Sequence, residues 1–183
     1  MSRLPPTDVN ALTPEQRRVY DSIASGPRGG FRGPFPALIH SPQVAQLVAD
    51  TGAHLRYGTS LPARLSELAI VITGLFWKAA PEWAGHVPLA RKAGIGEDII
   101  QALAAGRRPT FDKVDEELVY AFTMEVLEQR KVSEPTYKRL VEHFGLPTLV
   151  DLCGVVGYYC MVGVALKTFL LPPSTDEPLP FEY

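Results

Sequence analysis

Glu67, Glu82 and His86 are the residues of this chain whose types and spacing suit proton-transfer chemistry. Glu82 and His86 stand four apart and share one face of any helix that carries them, while Glu67 lies fifteen residues before Glu82 in an apolar run. Two antiparallel helices would bring all three together. A carboxylate set beside Leu68 and Ile70 is costly to bury unless it is paired or used, which singles out Glu67. A plainer reading of the same residues stays open, in which Glu67 pairs with Arg64 and Glu82–His86 is a surface helical pair worth tenths of a kcal/mol. If both glutamates approach the imidazole, their mutual repulsion keeps one of them partly protonated or favours the charged ring. Two glutamates would also repel an anionic substrate, so a cation is needed. Arg64, three residues before Glu67, and Arg32 in a Gly-Pro-rich loop are the candidates, with Arg28 behind them. Trp83 is placed either to wall the pocket or to fill the core.

The elements that must position these side chains are helices. Thr13-Pro14 and Ser41-Pro42 read as a polar cap followed by a first-turn proline, and Gln16 completes a capping-box spacing with Thr13. These starts predict helices to about Ala24 and to just before Gly58. A third helix begins near Pro62 and carries Glu67; its β-branched stretch Ile70 to Thr73 also fits a buried strand, but the length of the apolar run favours helix. Pro81 opens a fourth that carries Glu82 and His86, with a kink expected at Pro88 and a stop at Gly94. Further helices are predicted near Glu97 to Ala105, from Asp112 to about Gln129, from Ser133 to Gly145, and from about Pro147 to Leu170. The result is an all-α bundle of seven to eight helices in one domain, residues 1–183. An N-terminal helix and an entrance loop occupy residues 1–40, and a proline-rich tail occupies 172–183.

Composition removes several function classes. Eighteen basic against 20 acidic residues give a net charge of −2, too little positive charge to hold nucleic acid or an anionic membrane surface. The one long apolar stretch, Leu152 to Leu166, falls short of the roughly 20 residues a membrane span needs and reads as a buried core helix. Residues 1–10 hold no apolar run of a signal segment, which predicts a cytoplasmic protein. No metal site is expected, because a second Glu-x-x-His set is missing and His40, His54 and His143 lack ligand spacing. The glycines between Gly26 and Gly33 do not form a nucleotide loop, since no Lys-Ser/Thr follows them.

Glu67 together with Glu82-Trp83-x-x-His86 resembles the carboxymuconolactone decarboxylase family, which is related to the alkylhydroperoxidase D group. Leu61-Pro-Ala-Arg-Leu-Ser-Glu67 is similar to the family's helix opening, and His86-Val-Pro-Leu-Ala-Arg-Lys-Ala-Gly94-Ile to the stretch after its histidine. Gly157-Tyr-Tyr-Cys-Met161 resembles a run in its last core helix. The resemblance, over roughly residues 30 to 170, implies an alkylhydroperoxidase D-like fold that assembles into dimers, trimers or hexamers. Its site would lie between the two motif helices, often near a subunit contact. The implied activity is cofactor-free acid–base chemistry on a small carboxylated or cyclic carbonyl compound, with His86 as acid or base. One glutamate would orient it and the other would share its proton. One position departs from the family, whose aromatic residue before Glu-Trp is replaced by Pro81.

The peroxidase branch of the same superfamily spaces its residues as Glu, eleven residues, Cys, two residues, Cys, three residues, His. Counted from Glu67, that frame keeps His86 and puts Ala79 and Glu82 at the thiol positions. Neither residue can supply a thiolate. Cys153 and Cys160 do not replace them, because seven helical residues separate them by about 10.5 Å, beyond the ~7 Å limit for a disulfide. Peroxidase activity and a non-catalytic binding role are the alternatives to a lyase.

Overall fold

The computed structural model describes residues 2–27 and 29–182, so Arg28 lies outside the described residues. Among the described residues there are eight α-helices and no strand, as the all-α reading predicts. After a short 3₁₀ turn come α1 (Pro14–Ala24), α2 (Phe35–Leu38), α3 (Pro42–Tyr57), α4 (Ala63–Phe76) and α5 (Ala80–Ala93). The rest are α6 (Glu97–Ala104), α7 (Val114–Met124) and α8 (Glu134–Phe169). Thr13 and Gln16 close the expected capping box at the start of α1. The brief α2 is an addition to the expected Gly-Pro loop, where Phe35 is fully buried among α1 and α3 side chains.

α4 lies at the centre. Every residue from 65 to 74 is buried, and a helix that is apolar on all sides requires that enclosure. It packs on α5, α7 and α8. The stretch Ile70 to Thr73 is therefore helical, and Thr73 satisfies its buried hydroxyl by donating to the Ala69 carbonyl. Gly74 permits the approach of α5, since a Cβ there would lie 2.8 Å from the Cβ of Glu82. A Schellman arrangement then reverses the chain: the amides of Lys78 and Ala79 donate to the carbonyls of Leu75 and Gly74, and Lys78 takes a left-handed φ of 47°.

α8 is interrupted at Gly145 (φ 75°, ψ 166°), a backbone region essentially restricted to glycine. The two helices expected on either side of Gly145 are thus its two halves. By length and composition α8 could cross a membrane, yet half of its most apolar window is buried in the protein. Leu152, Val155, Val156 and Val162 belong to the main core.

A kink is expected at Pro88, but α5 continues as helix through it. The consequence of the proline appears in hydrogen bonding. Pro88 has no N–H for the Ala84 carbonyl, and the Thr175 hydroxyl donates to that carbonyl instead, at 2.9 Å. The tail is irregular, as its prolines dictate, and lies across α5. Besides Thr175, Glu177 pairs with Arg91 at 2.7 Å and the Pro178 carbonyl accepts from the Trp83 indole at 2.9 Å.

Candidate active site

α4 and α5 bring Glu67, Glu82 and His86 together, and all three are buried. His86 Nδ1 and Glu67 Oε2 lie 2.6 Å apart, within hydrogen-bond distance. A carboxylate can only accept, so with Glu67 ionised the proton of this contact sits on Nδ1. The opposite ring nitrogen, Nε2, lies 3.3 Å from Glu82 Oε2 and 3.4 Å from the Tyr159 hydroxyl, which reaches it from α8. The Tyr159 ring meets the imidazole edge-on, with centroids 5.1 Å apart. From the end of α3, Arg56 Nη2 donates to the other Glu67 oxygen at 3.4 Å. Glu67 therefore holds a histidine and an arginine at once.

The surroundings fix the state of the phenol. Burial first, then the nearby Glu82 carboxylate, pushes Tyr159 well above its ordinary value near 10, and Arg56 opposes this without overcoming it. Tyr159 thus stays a hydrogen-bond donor at neutral pH. The Arg56 guanidinium is permanently charged and stacks on Tyr57 at 5.0 Å. Its buried Nε has no hydrogen-bond partner.

These groups face a cavity of about 290 Å³, near the low end for small-molecule sites. Arg56, Glu82, His86 and Tyr159 line it on the bundle side, while Gly30, Arg32 and Pro34 of the Gly-Pro loop and Ser174 of the tail form its mouth. The loop thus lines one side of the cavity. Arg32 lines the cavity, its Nη1 donating to the Gly29 carbonyl at 3.2 Å.

Two other expected substrate contacts are corrected. Arg64 turns to the first turn of α7, where it pairs with Asp115 at 2.6 Å and with Glu116. It does not line the cavity. Trp83, one residue from Glu82 and so about 100° around the helix, is enclosed in the core rather than on the pocket wall. Sequence reasoning assigned no role to Arg56 or to Tyr159. A basic residue near a helix C-terminus reads as a dipole partner, so nothing marks Arg56. Tyr158 and Tyr159, however, are the only hydroxyl-bearing residues in the run from Leu152 to Leu166, and a buried phenol needs a polar partner.

Both cysteines are free and neither lines the cavity. Ala79 is fully buried at the first thiol position of the peroxidase frame. Among the described residues no three His, Cys, Asp or Glu side chains are arranged to hold a metal ion.

The chain has an all-α fold of the alkylhydroperoxidase D-like kind. The sequence model of the carboxymuconolactone decarboxylase family matches residues 42–122, from the start of α3 into α7. A solved structure described as an alkylhydroperoxidase AhpD core, an uncharacterized peroxidase-related protein from Ralstonia eutropha JMP134, superposes with a TM-score of 0.74. The superposition covers 96% of this chain and 93% of that one, at 16% identity, so the likeness is one of fold. No curated protein sequence matches the chain. The family model thus matches 81 of the 183 residues, and the likeness to the AhpD core is one of fold.

Proposed function

We propose that this chain is a lyase that decarboxylates a small carboxylated carbonyl or lactone compound by general acid–base chemistry, with no cofactor. The observation that carries the reading is the position of His86. Its Nδ1 is held by Glu67 while its Nε2 meets Glu82 and Tyr159 at a cavity that also contains Arg56. Arg56 receives the substrate carboxylate, which the two glutamates would otherwise repel. The bond from the carboxylate carbon then breaks to release CO₂, and its electron pair moves into the adjacent carbonyl to give an enolate. Tyr159 donates a hydrogen bond to the enolate oxygen. The imidazolium delivers its Nε2 proton to carbon and is reprotonated from solvent through Glu82. Glu67 keeps the ring oriented and stabilises its charged form, as the buried aspartate does in serine hydrolases.

The test is to screen β-keto acids and carboxylated lactones for CO₂ release and then to assay His86→Gln. General acid catalysis contributes about 10² to 10⁴ in rate, so the variant should fold normally and lose at least about 10²-fold in turnover. Activity within a few-fold of the parent would overturn the assignment. A peroxidase-like activity has the description of the structural neighbour in its favour. Hydroperoxide turnover with a dithiol donor that survives loss of both cysteines would favour that reading. The exposed Leu146, Val150 and Val164 of α8 support a homo-oligomer, which light scattering tests.

A further inference from the structure

Beside the polar cavity runs a second and larger hollow, a groove of about 510 Å³. The two share Arg32, Gly33 and Ser174, so the rim of one is the wall of the other. Arg32 is the one charged side chain among the described residues that line the groove. The remaining wall includes Leu4, Val9, Tyr20, Phe31 and Leu171, with five prolines from the two chain ends and the loop. Proline offers no N–H and has a fixed φ, so these walls are poor in hydrogen-bond donors and already ordered. The N-terminal arm that closes one side is tied down, because the Arg3 amide and side chain donate to the carbonyls of Phe169 and Thr168 at 2.9 and 3.0 Å. On the other side Tyr20 and Phe31 stack with centroids 4.6 Å apart.

Polarity therefore changes sharply across one rim. On the inner side are Arg56 and the Glu67–His86–Glu82 cluster; on the outer side is a mainly apolar trough, charged only at the shared Arg32 rim, whose volume suits a hydrocarbon chain or an aromatic ring. We infer that the groove is a subsite for the apolar tail of the same ligand whose carboxylate sits at Arg56, so that the preferred substrates are amphipathic carboxylates. Short hydrophilic acids would fill only the 290 Å³ inner cavity. The inference rests on the reading of that cavity as the site that receives the carboxylate.

The experiment titrates the full-length protein with acetate, hexanoate and decanoate, below micelle formation, by calorimetry. Burial of one methylene contributes about 0.8 kcal/mol, or about fourfold in affinity, so decanoate should bind at least about tenfold more tightly than hexanoate even with partial burial. Thr7→Trp, in the irregular arm, fills the groove and should remove most of that gain while leaving hexanoate within about twofold. Arg56→Gln should weaken all three acids by a similar factor. Decanoate binding no tighter than hexanoate, or a length dependence undiminished in Thr7→Trp, would overturn the inference. A change of oligomeric state in Thr7→Trp would overturn it too, by giving the groove to a second copy of the chain. His86→Gln should keep the full chain-length series, so failure of the proposed proton transfer can be told apart from failure of the subsite.

Discussion

Arg64 and Glu67 stand one turn apart on α4, and each anchors a cluster of two acids and two bases. Around Arg64 the acids are Asp115 and Glu116 and the second base is Lys113, 3.1 Å from Glu116. Around Glu67 the second acid is Glu82 and the bases are His86 and Arg56. The charge count is the same, but the first cluster pairs permanent cations with its carboxylates and does not line the cavity of the second. The second has a titratable imidazole in place of one cation and a phenol held protonated, both at a cavity wall, and its arginine keeps a buried nitrogen without a partner. Burial and charge pairing are common to the two clusters; what separates them is that only the second turns a titratable ring and a phenol toward this cavity.

That contrast is broken most forcefully at Arg64. Arg64→Met leaves Glu116, 3% exposed, with only Lys113 beside it. Loss of one partner from a buried pair costs about 3 to 5 kcal/mol, and the partial exposure of Arg64 puts this case near 3. Urea unfolding at unchanged m-value is the measurement, and turnover per folded molecule should be unaltered. The reverse pattern is expected at Tyr159→Phe, where one oxyanion donor is lost. Stability should change little and kcat should fall roughly 10- to 100-fold, somewhat below the usual effect of losing such a donor because Arg56 remains nearby. A Tyr159→Phe enzyme that keeps full kcat would return the phenol to a packing role.

The helices and the acid–base trio were legible for local reasons. A glutamate inside an apolar run and an i,i+4 Glu–His pair are visible in one dimension, and proline after a polar residue marks helix starts. Arg56 and Tyr159 were not legible as site residues because about a hundred residues separate them and only the packing of α3, α4 and α8 brings them to one ring. Arg64 was misread for the same reason, since its acids on α7 lie some fifty residues further on. Trp83 shows a finer limit, where the element is right but the side chain leaves the helix on the neighbouring face. Where α5 continues through Pro88, a tail hydroxyl about ninety residues away takes the carbonyl that the proline leaves free. Thr175→Val tests that bond, since an unpaired, partly buried carbonyl should cost about 1 kcal/mol. Turnover should fall with it if the Thr175 bond also holds His86, two residues beyond Ala84, against Glu67.

The smallest expected effect lies in the acid limb of the stability curve. Burial raises the Asp115 carboxyl, but the Arg64 hydrogen bond and charge outweigh it and leave the group below its ordinary value. A folded-state value below the unfolded one, about 3.9 for aspartate, contributes stability that is complete above the unfolded value and is lost as pH falls through the folded one. Glu125 behaves alike: its burial is outweighed by the Ser133 amide and the Thr136 hydroxyl. Both groups should steepen the loss of stability below about pH 4. Asp115 is a quarter exposed, so solvent screening limits its share to about 1 kcal/mol or less. Arg64→Met should remove the Asp115 share and flatten the acid limb, while the Glu125 share persists as an internal control. Tyr159→Phe should leave the limb unchanged. If the parent and Arg64→Met proteins instead lose stability in parallel below pH 4, Arg64 does not hold Asp115 in its charged form, and the two clusters differ less than their geometry implies.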